Sequence, residues 1–145
     1  MKLPWYIAAL AAAVVWGVHY PLVDNALRKL SLVTVLVLTA VPLVLLAPFF
    51  HKTLAADYEV LKDLGWAGSA PILALALTSL AGSVLLFMSI HGKNATLASV
   101  IEISYPLFVG LFAYLLFRHM HVNASVILGG LLVFMGVVII ILNNP

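Results

Sequence analysis

"SVIEISYPLFVG", residues 99–110, places a single acidic side chain, Glu102, in an apolar run and follows it four positions later with Pro106. Insertion scales put the cost of an acidic residue at the centre of a membrane-spanning helix at about 2.5–3.5 kcal/mol, so such residues usually face the bundle interior or a water-filled cavity. Ser99 and Tyr105, three positions before and after Glu102, put polar groups on the same helical face. The stretch therefore predicts a functional position inside a membrane protein.

The composition places the whole chain in a lipid bilayer. Of its 145 residues, 65% are hydrophobic and 8% are charged, whereas a typical soluble domain has about 25% charged residues. Seven basic residues, scattered singly or in pairs, exclude a nucleic-acid surface, and the absence of cysteine excludes disulfides and thiolate metal sites. The sequence also shows no nucleophile–base pair and no cofactor motif. We therefore expect neither an enzyme nor a protein with a cofactor or metal.

Apolar segments long enough to span a bilayer fill most of the chain. A spanning helix needs about 20 mostly apolar residues, and five segments meet this length: 4–27, 32–50, 66–90, 95–117 and 122–142. Between the second and third, "HKTLAADYEVLKDLG" spaces its apolar residues along one helical face. This pattern fits a short helix lying in the membrane interface or a solvated loop. The predicted fold is an all-α integral membrane protein with five transmembrane helices and no extramembrane domain.

Two prolines predict kinks in these helices. Pro106 has no N–H group, so the carbonyl of Glu102 loses its helical partner, and Pro21 does the same to the carbonyl of Gly17. Such carbonyls are tolerated at membrane depth where they line a cavity or contact another helix. A kink also supplies a hinge.

Aromatic residues cluster near the middle of the first segment. Trp16, His19 and Tyr20 share a helical face and could wall a substrate pocket, with Trp16 available for a cation–π contact. A purely structural aromatic cluster fits the same spacing.

Glu102 has two interpretations as well: it exchanges a proton or binds a cationic substrate, or it is a protonated acid that joins two helices by a hydrogen bond.

The last segment and the charge distribution both bear on assembly. Ser125, Gly129 and Gly136 form a stripe of small residues that favours close helix contact and predicts a dimer interface.

Five spans would place Lys2, Lys52, Lys62 and Arg118 on one side of the membrane, and Arg28, Lys29 and Lys93 on the other. Because this bias is nearly zero, the chain could insert in both orientations and pair as an antiparallel homodimer. The alternative is a fixed orientation.

Several stretches resemble one repeat of the EamA-type transporters in the drug/metabolite transporter superfamily. They are "WG" at 16–17, "LFMSIHGKNATLASVIEISYPLFVGLFAYLLF" at 86–117 and "GGLLVFMGVVII" at 129–140. Full-length family members contain two five-helix repeats in inverted orientation. The resemblance therefore implies a transporter, and it implies that this single repeat pairs with a second copy or with another half-transporter.

The chain also departs from the family pattern. Thr39 stands near the place of a frequent arginine in the second helix, and His119 near that of a frequent glutamate after the fourth. The small multidrug resistance branch has its essential glutamate in the first helix, whereas Glu102 lies in the fourth segment. Its drug–proton antiport mechanism therefore does not transfer directly.

Together these patterns predict a transporter of small polar or cationic metabolites or drugs in the cell inner or plasma membrane. It would work as a dimer by alternating access, with proton coupling through Glu102. One alternative is an uncoupled facilitator or a flippase for lipid-linked substrates. Another is a non-transporting membrane subunit that stabilises a partner.

Overall fold

The computed structural model describes residues 4–118 and 123–144. All regular elements in these ranges are helical: α1 (Trp5–Leu27), α2 (Leu32–Leu46), a 3₁₀ turn (Ala47–Phe50), α3 (His51–Gly92), α4 (Ala95–Glu102), α5 (Tyr105–Phe117) and α6 (Ala124–Asn143). Lys2, His119 and the predicted start of the last segment at residue 122 lie outside the described residues. Four stretches of the described chain are long and apolar enough to cross a membrane: Trp5–Leu27, Leu32–Gly92, Ala95–Phe117 and Ala124–Asn143.

Polar side chains mark where three of the helices begin. Ser31 Oγ accepts a hydrogen bond from the Thr34 amide at the start of α2. Asn94 Oδ1 and Asn123 Oδ1 accept from the amides of Leu97 and Val126 at the starts of α4 and α6. Each cap satisfies an amide that has no partner within its helix.

The chain divides into two compact units. The first contains the described residues up to Pro21 and those from Gly92 onwards. Within it, α4 and α5 both pack against α6. Ala95 and Ala98 of α4 and Val137 of α6 are buried, each at most 5% exposed. The second unit, residues 22–91, contains the end of α1, α2 and nearly all of α3.

A glycine breaks the long helix α3. Gly65 has φ 65° and ψ −177°, a backbone conformation adopted almost only by glycine. Ser69 Oγ donates a 2.8 Å hydrogen bond to the Leu61 carbonyl, eight residues earlier. Residues eight apart in a straight helix are separated by about 12 Å along its axis, so the helix axis changes direction at Gly65. The segment before it, predicted as either an interfacial helix or a loop, is helical.

A second break lies within the predicted segment 95–117, close to the kink predicted at Pro106. Ile103 and Ser104 separate α4 from α5. Pro106 has no N–H group to donate to the Glu102 carbonyl. The backbone here forms hydrogen bonds of the 3₁₀ type instead, from the Ser104 amide to the Ile101 carbonyl and from the Leu107 amide to the Ser104 carbonyl, each 3.2 Å. Pro21 has no such effect, and α1 continues through it without interruption.

Candidate functional site

A hydrogen bond between two distant parts of the sequence defines the candidate site. The Tyr20 hydroxyl donates to Glu102 Oε2 over 2.5 Å, and both side chains are partly buried within the first unit. Glu102 is the last residue of α4, and Tyr20 lies in the second half of α1. Bonds from a hydroxyl to a carboxylate are typically about 2.5–2.7 Å long and roughly twice as strong as neutral ones. The bond therefore joins α1 to the end of α4 through an acidic side chain.

The aromatic rings predicted to share a face of α1 do contact each other. The Trp16 ring lies 5.1 Å from the His19 ring at 89° and 5.6 Å from the Tyr20 ring at 47°. The His19 and Tyr20 rings are 6.2 Å apart. Tyr20 thus belongs to the aromatic cluster and also holds the carboxylate. Trp16 remains 52% exposed, so part of its surface is open to a cation or to an apolar neighbour.

The two polar neighbours predicted around Glu102 have different surroundings. The Ser99 hydroxyl donates to the Thr96 carbonyl over 2.9 Å on its own helix. Tyr105 is 58% exposed and is the first residue of α5. Because the helix is broken between Glu102 and Tyr105, the spacing of a continuous helix does not determine where the tyrosine lies.

The break between α4 and α5 also borders a groove. Its volume is about 140 Å³, and it is lined mostly by apolar residues of the break, of the start of α5 and of α6: Ile103, Ser104, Pro106, Leu107, Val126, Gly130 and Val133. Its polar side chain, Ser104, already donates to the Ile101 carbonyl over 2.9 Å. Pro106 therefore lines this apolar groove. At Gly17, which was predicted at the kink caused by Pro21, an added Cβ atom would meet no atom within 4 Å.

The small residues of α6 are not equivalent. A Cβ atom at Gly129 or Gly136 would meet no atom within 4 Å. Gly130, which sequence reasoning did not single out, lies directly against the Leu107 side chain of α5. Ser125 donates to Asn123 Oδ1 over 2.6 Å at the start of the helix. Within α6, Gly130 is thus the glycine that allows close packing against α5.

Two further polar residues lie in the helices of the second unit. Asp24, which sequence reasoning missed, has a side chain only 19% exposed and pairs with Arg28 Nε over 3.1 Å. The available signal was an acid and a base four positions apart at the end of an apolar helix. Thr39, at the place of the family's arginine, donates to the Leu36 carbonyl over 2.8 Å on its own helix. No group of three His, Asp or Glu side chains in residues 4–118 and 123–144 could hold a metal ion.

Comparison with known proteins gives one family. The sequence model of the EamA-like transporter family matches residues 3–142 of the 145-residue chain. No curated protein and no solved structure matches the chain significantly.

Proposed function

Because the chain belongs to the EamA-like transporter family and is a multi-pass membrane protein, we propose that it carries small polar or cationic molecules by alternating access. The observation that carries this proposal is the hydrogen bond between Tyr20 and Glu102. It joins a partly buried acidic group of α4 to a cluster of aromatic rings on α1, and such rings attract cations. Residence in the cell inner or plasma membrane is part of the proposal.

Five membrane spans fit the helices better than four. The stretch Leu32–Gly92 has 61 residues, which as a straight helix would extend about 90 Å, three times the roughly 30 Å of a hydrocarbon core. The break at Gly65 divides it, with Trp66, 80% exposed, directly after the break. Tryptophan favours the membrane interface. We therefore assign spans to residues 32–50 and 66–90, joined by an interfacial helix at 51–64, as in one inverted-repeat unit.

The active form in this proposal is a dimer. At most 6% of the residues in the most apolar part of each candidate span are buried, so their surfaces are available to lipid or to a second subunit. The balanced basic charges favour an antiparallel homodimer, which would reproduce the two inverted repeats of a full-length transporter. The proposed contact between the two subunits is the face of α6 that contains Ser125, Gly129 and Gly136. Pairing with a different half-transporter is the alternative.

Glu102 is proposed to couple transport to protons. The test uses purified protein in vesicles containing a pH-sensitive dye, to which a series of amines is added under a proton gradient. The signal from protein-free vesicles is subtracted, because neutral amines cross a bilayer and take up protons on their own. Wild-type protein should move protons when a substrate is added. Glu102→Gln keeps the shape of the side chain and an oxygen that accepts from Tyr20, so it should lose proton movement while remaining dimeric. Glu59→Gln is the matched control, because Glu59 is exposed and pairs with Lys62 over 2.8 Å.

The results separate the alternatives. Unchanged proton movement in Glu102→Gln would contradict the coupling role. Substrate flux that ignores the gradient in both proteins would identify an uncoupled facilitator, and movement of a lipid-linked substrate would identify a flippase. A protein that moves nothing unless a partner is present would be a stabilising subunit.

A further inference from the structure

Glu102 already has a hydrogen-bond donor in the structure. The Tyr20 hydroxyl contacts Oε2 at 2.5 Å, and the ring contacts with Trp16 and His19 hold the tyrosine ring in place. A cation that approaches this oxygen therefore meets a carboxylate whose donor is in position. A cation that binds at Oε2 competes with the tyrosine hydroxyl for this atom.

Competition for a carboxylate oxygen depends on what replaces the lost bond. Removing the donor from a partly buried carboxylate is unfavourable unless another donor takes its place. A protonated amine brings both a positive charge and an N–H group, whereas a quaternary ammonium ion brings the charge alone. The exchange therefore favours cations that carry an N–H group.

The same bond connects α1 to the end of α4, directly before a break in the helix. Glu102 is the last residue of α4, and the break at Ile103 and Ser104 follows it directly. Releasing Tyr20 would remove a side-chain link between α1 and this break. A cation that displaces the hydroxyl from Glu102 would therefore also free α1 to move relative to α4.

We propose that Tyr20 is a displaceable positioning residue: a cation binds Glu102 by replacing the tyrosine hydroxyl, and protonated amines are preferred to quaternary ammonium ions. This inference rests on the proposed function, since it takes Glu102 as the substrate-binding group.

The first test measures access to Glu102 without any transport substrate. Dicyclohexylcarbodiimide, an apolar reagent that modifies carboxyl groups, is applied to the intact protein in detergent, and the modified Glu102 peptide is quantified by mass spectrometry. Tyr20→Phe should label about three- to twentyfold faster than wild type, the range that corresponds to loss of one hydrogen bond between membrane helices. Tyr6→Phe, the same change at an exposed tyrosine of α1, should label at the wild-type rate. Equal or slower labelling in Tyr20→Phe would overturn the inference.

The second test compares two cations that share an aromatic ring and a charge. Benzylammonium has N–H donors and benzyltrimethylammonium has none. In wild type, benzylammonium should protect Glu102 from the carbodiimide at the lower concentration, and the difference should shrink in Tyr20→Phe. Equal protection by both cations in wild type would overturn the preference for an N–H group. If neither cation protects while Tyr20→Phe still labels faster, the cation site of the proposed function fails and the positioning role of Tyr20 remains.

Discussion

The Tyr20 hydroxyl donates a 2.5 Å hydrogen bond to Glu102 Oε2 and joins α1 to the end of α4 across 82 positions of sequence. Within the first unit, close backbone packing is concentrated where α4 and α5 meet α6. The contact from α1 to Glu102 is instead made by two long polar side chains. A link of this kind can be broken without disturbing an apolar core.

The energy of this link should be measurable as a coupling between two substitutions. Tyr20→Phe and Glu102→Ala each remove the bond, so in combination they should destabilise the protein by less than the sum of their separate effects. Hydrogen bonds between membrane helices average about 0.6 kcal/mol with a maximum near 1.7 kcal/mol, and we expect a coupling energy in this range. The measurement is the free energy of unfolding in mixed micelles for the four proteins of the cycle.

A distant pair provides the control for that cycle. Tyr20→Phe combined with Glu59→Ala should be additive, because Glu59 pairs with Lys62 and not with Tyr20. Additivity in both cycles would show that the Tyr20–Glu102 bond contributes nothing to stability.

Much of the helical content follows from the sequence, because apolar runs of spanning length must satisfy their backbone groups internally. The stretch around Glu102 also indicated a site, since a carboxylate in apolar surroundings is costly. The sequence did not identify Tyr20 as the partner of Glu102. Helical spacing predicts neighbours three or four residues apart, whereas a contact 82 residues away depends on how the helices pack.

The sequence alone could not determine two other features, the structure of residues 51–64 and the packing of the two adjacent glycines of α6. Residues 51–64 combine an apolar stripe with charged side chains, a composition compatible with either a helix or a loop, and the structure has a helix ended by Gly65. Gly129 and Gly130 are adjacent, so they point about 100° apart around α6. Their sequence alone does not say which of them lies against Leu107.

Gly65 should be required for the change of direction in α3. Its φ of 65° and ψ of −177° impose a strain of about 1–3 kcal/mol on any other residue. Gly65→Ala should therefore lower the free energy of unfolding by that amount in mixed micelles. Gly82→Ala is the matched change within a regular part of α3, where a Cβ meets no atom within 4 Å. It should be neutral or stabilising because alanine favours helix, and an equal loss in both variants would contradict the assigned role of Gly65.

The glycine doublet of α6 should separate packing within the chain from contact between subunits. Gly130→Ala places a methyl group against Leu107 and should destabilise the chain by about 1 kcal/mol through overpacking. Gly129→Ala meets nothing within the chain, so it should leave chain stability unchanged or raised, because alanine favours helix, and should weaken the proposed dimer. Energy transfer between labelled subunits, measured over a dilution series in vesicles, reports the dimer. An unchanged dimer in Gly129→Ala would place this glycine against lipid.

Single-cysteine labelling should detect both membrane orientations in one population of molecules. The chain contains no cysteine, so each introduced thiol is unique. Ser31 and Asn123 cap helices and are unsuitable, whereas Leu30, 44% exposed, and the exposed Ala55 avoid the caps and lie on opposite sides of the proposed arrangement. An impermeant maleimide applied to intact cells should label Leu30→Cys and Ala55→Cys each in part.

A charge variant makes the same experiment decisive. Ala55→Lys raises its side from four basic residues to five against three on the other, and basic residues favour the cytoplasmic side. In this background, labelling of Leu30→Cys should rise towards completion because its side is driven outwards. Labelling at only one of the two positions in the original charge background would show a fixed orientation. An antiparallel homodimer would then be impossible, and a complete transporter would require a parallel pair or a second half of opposite orientation.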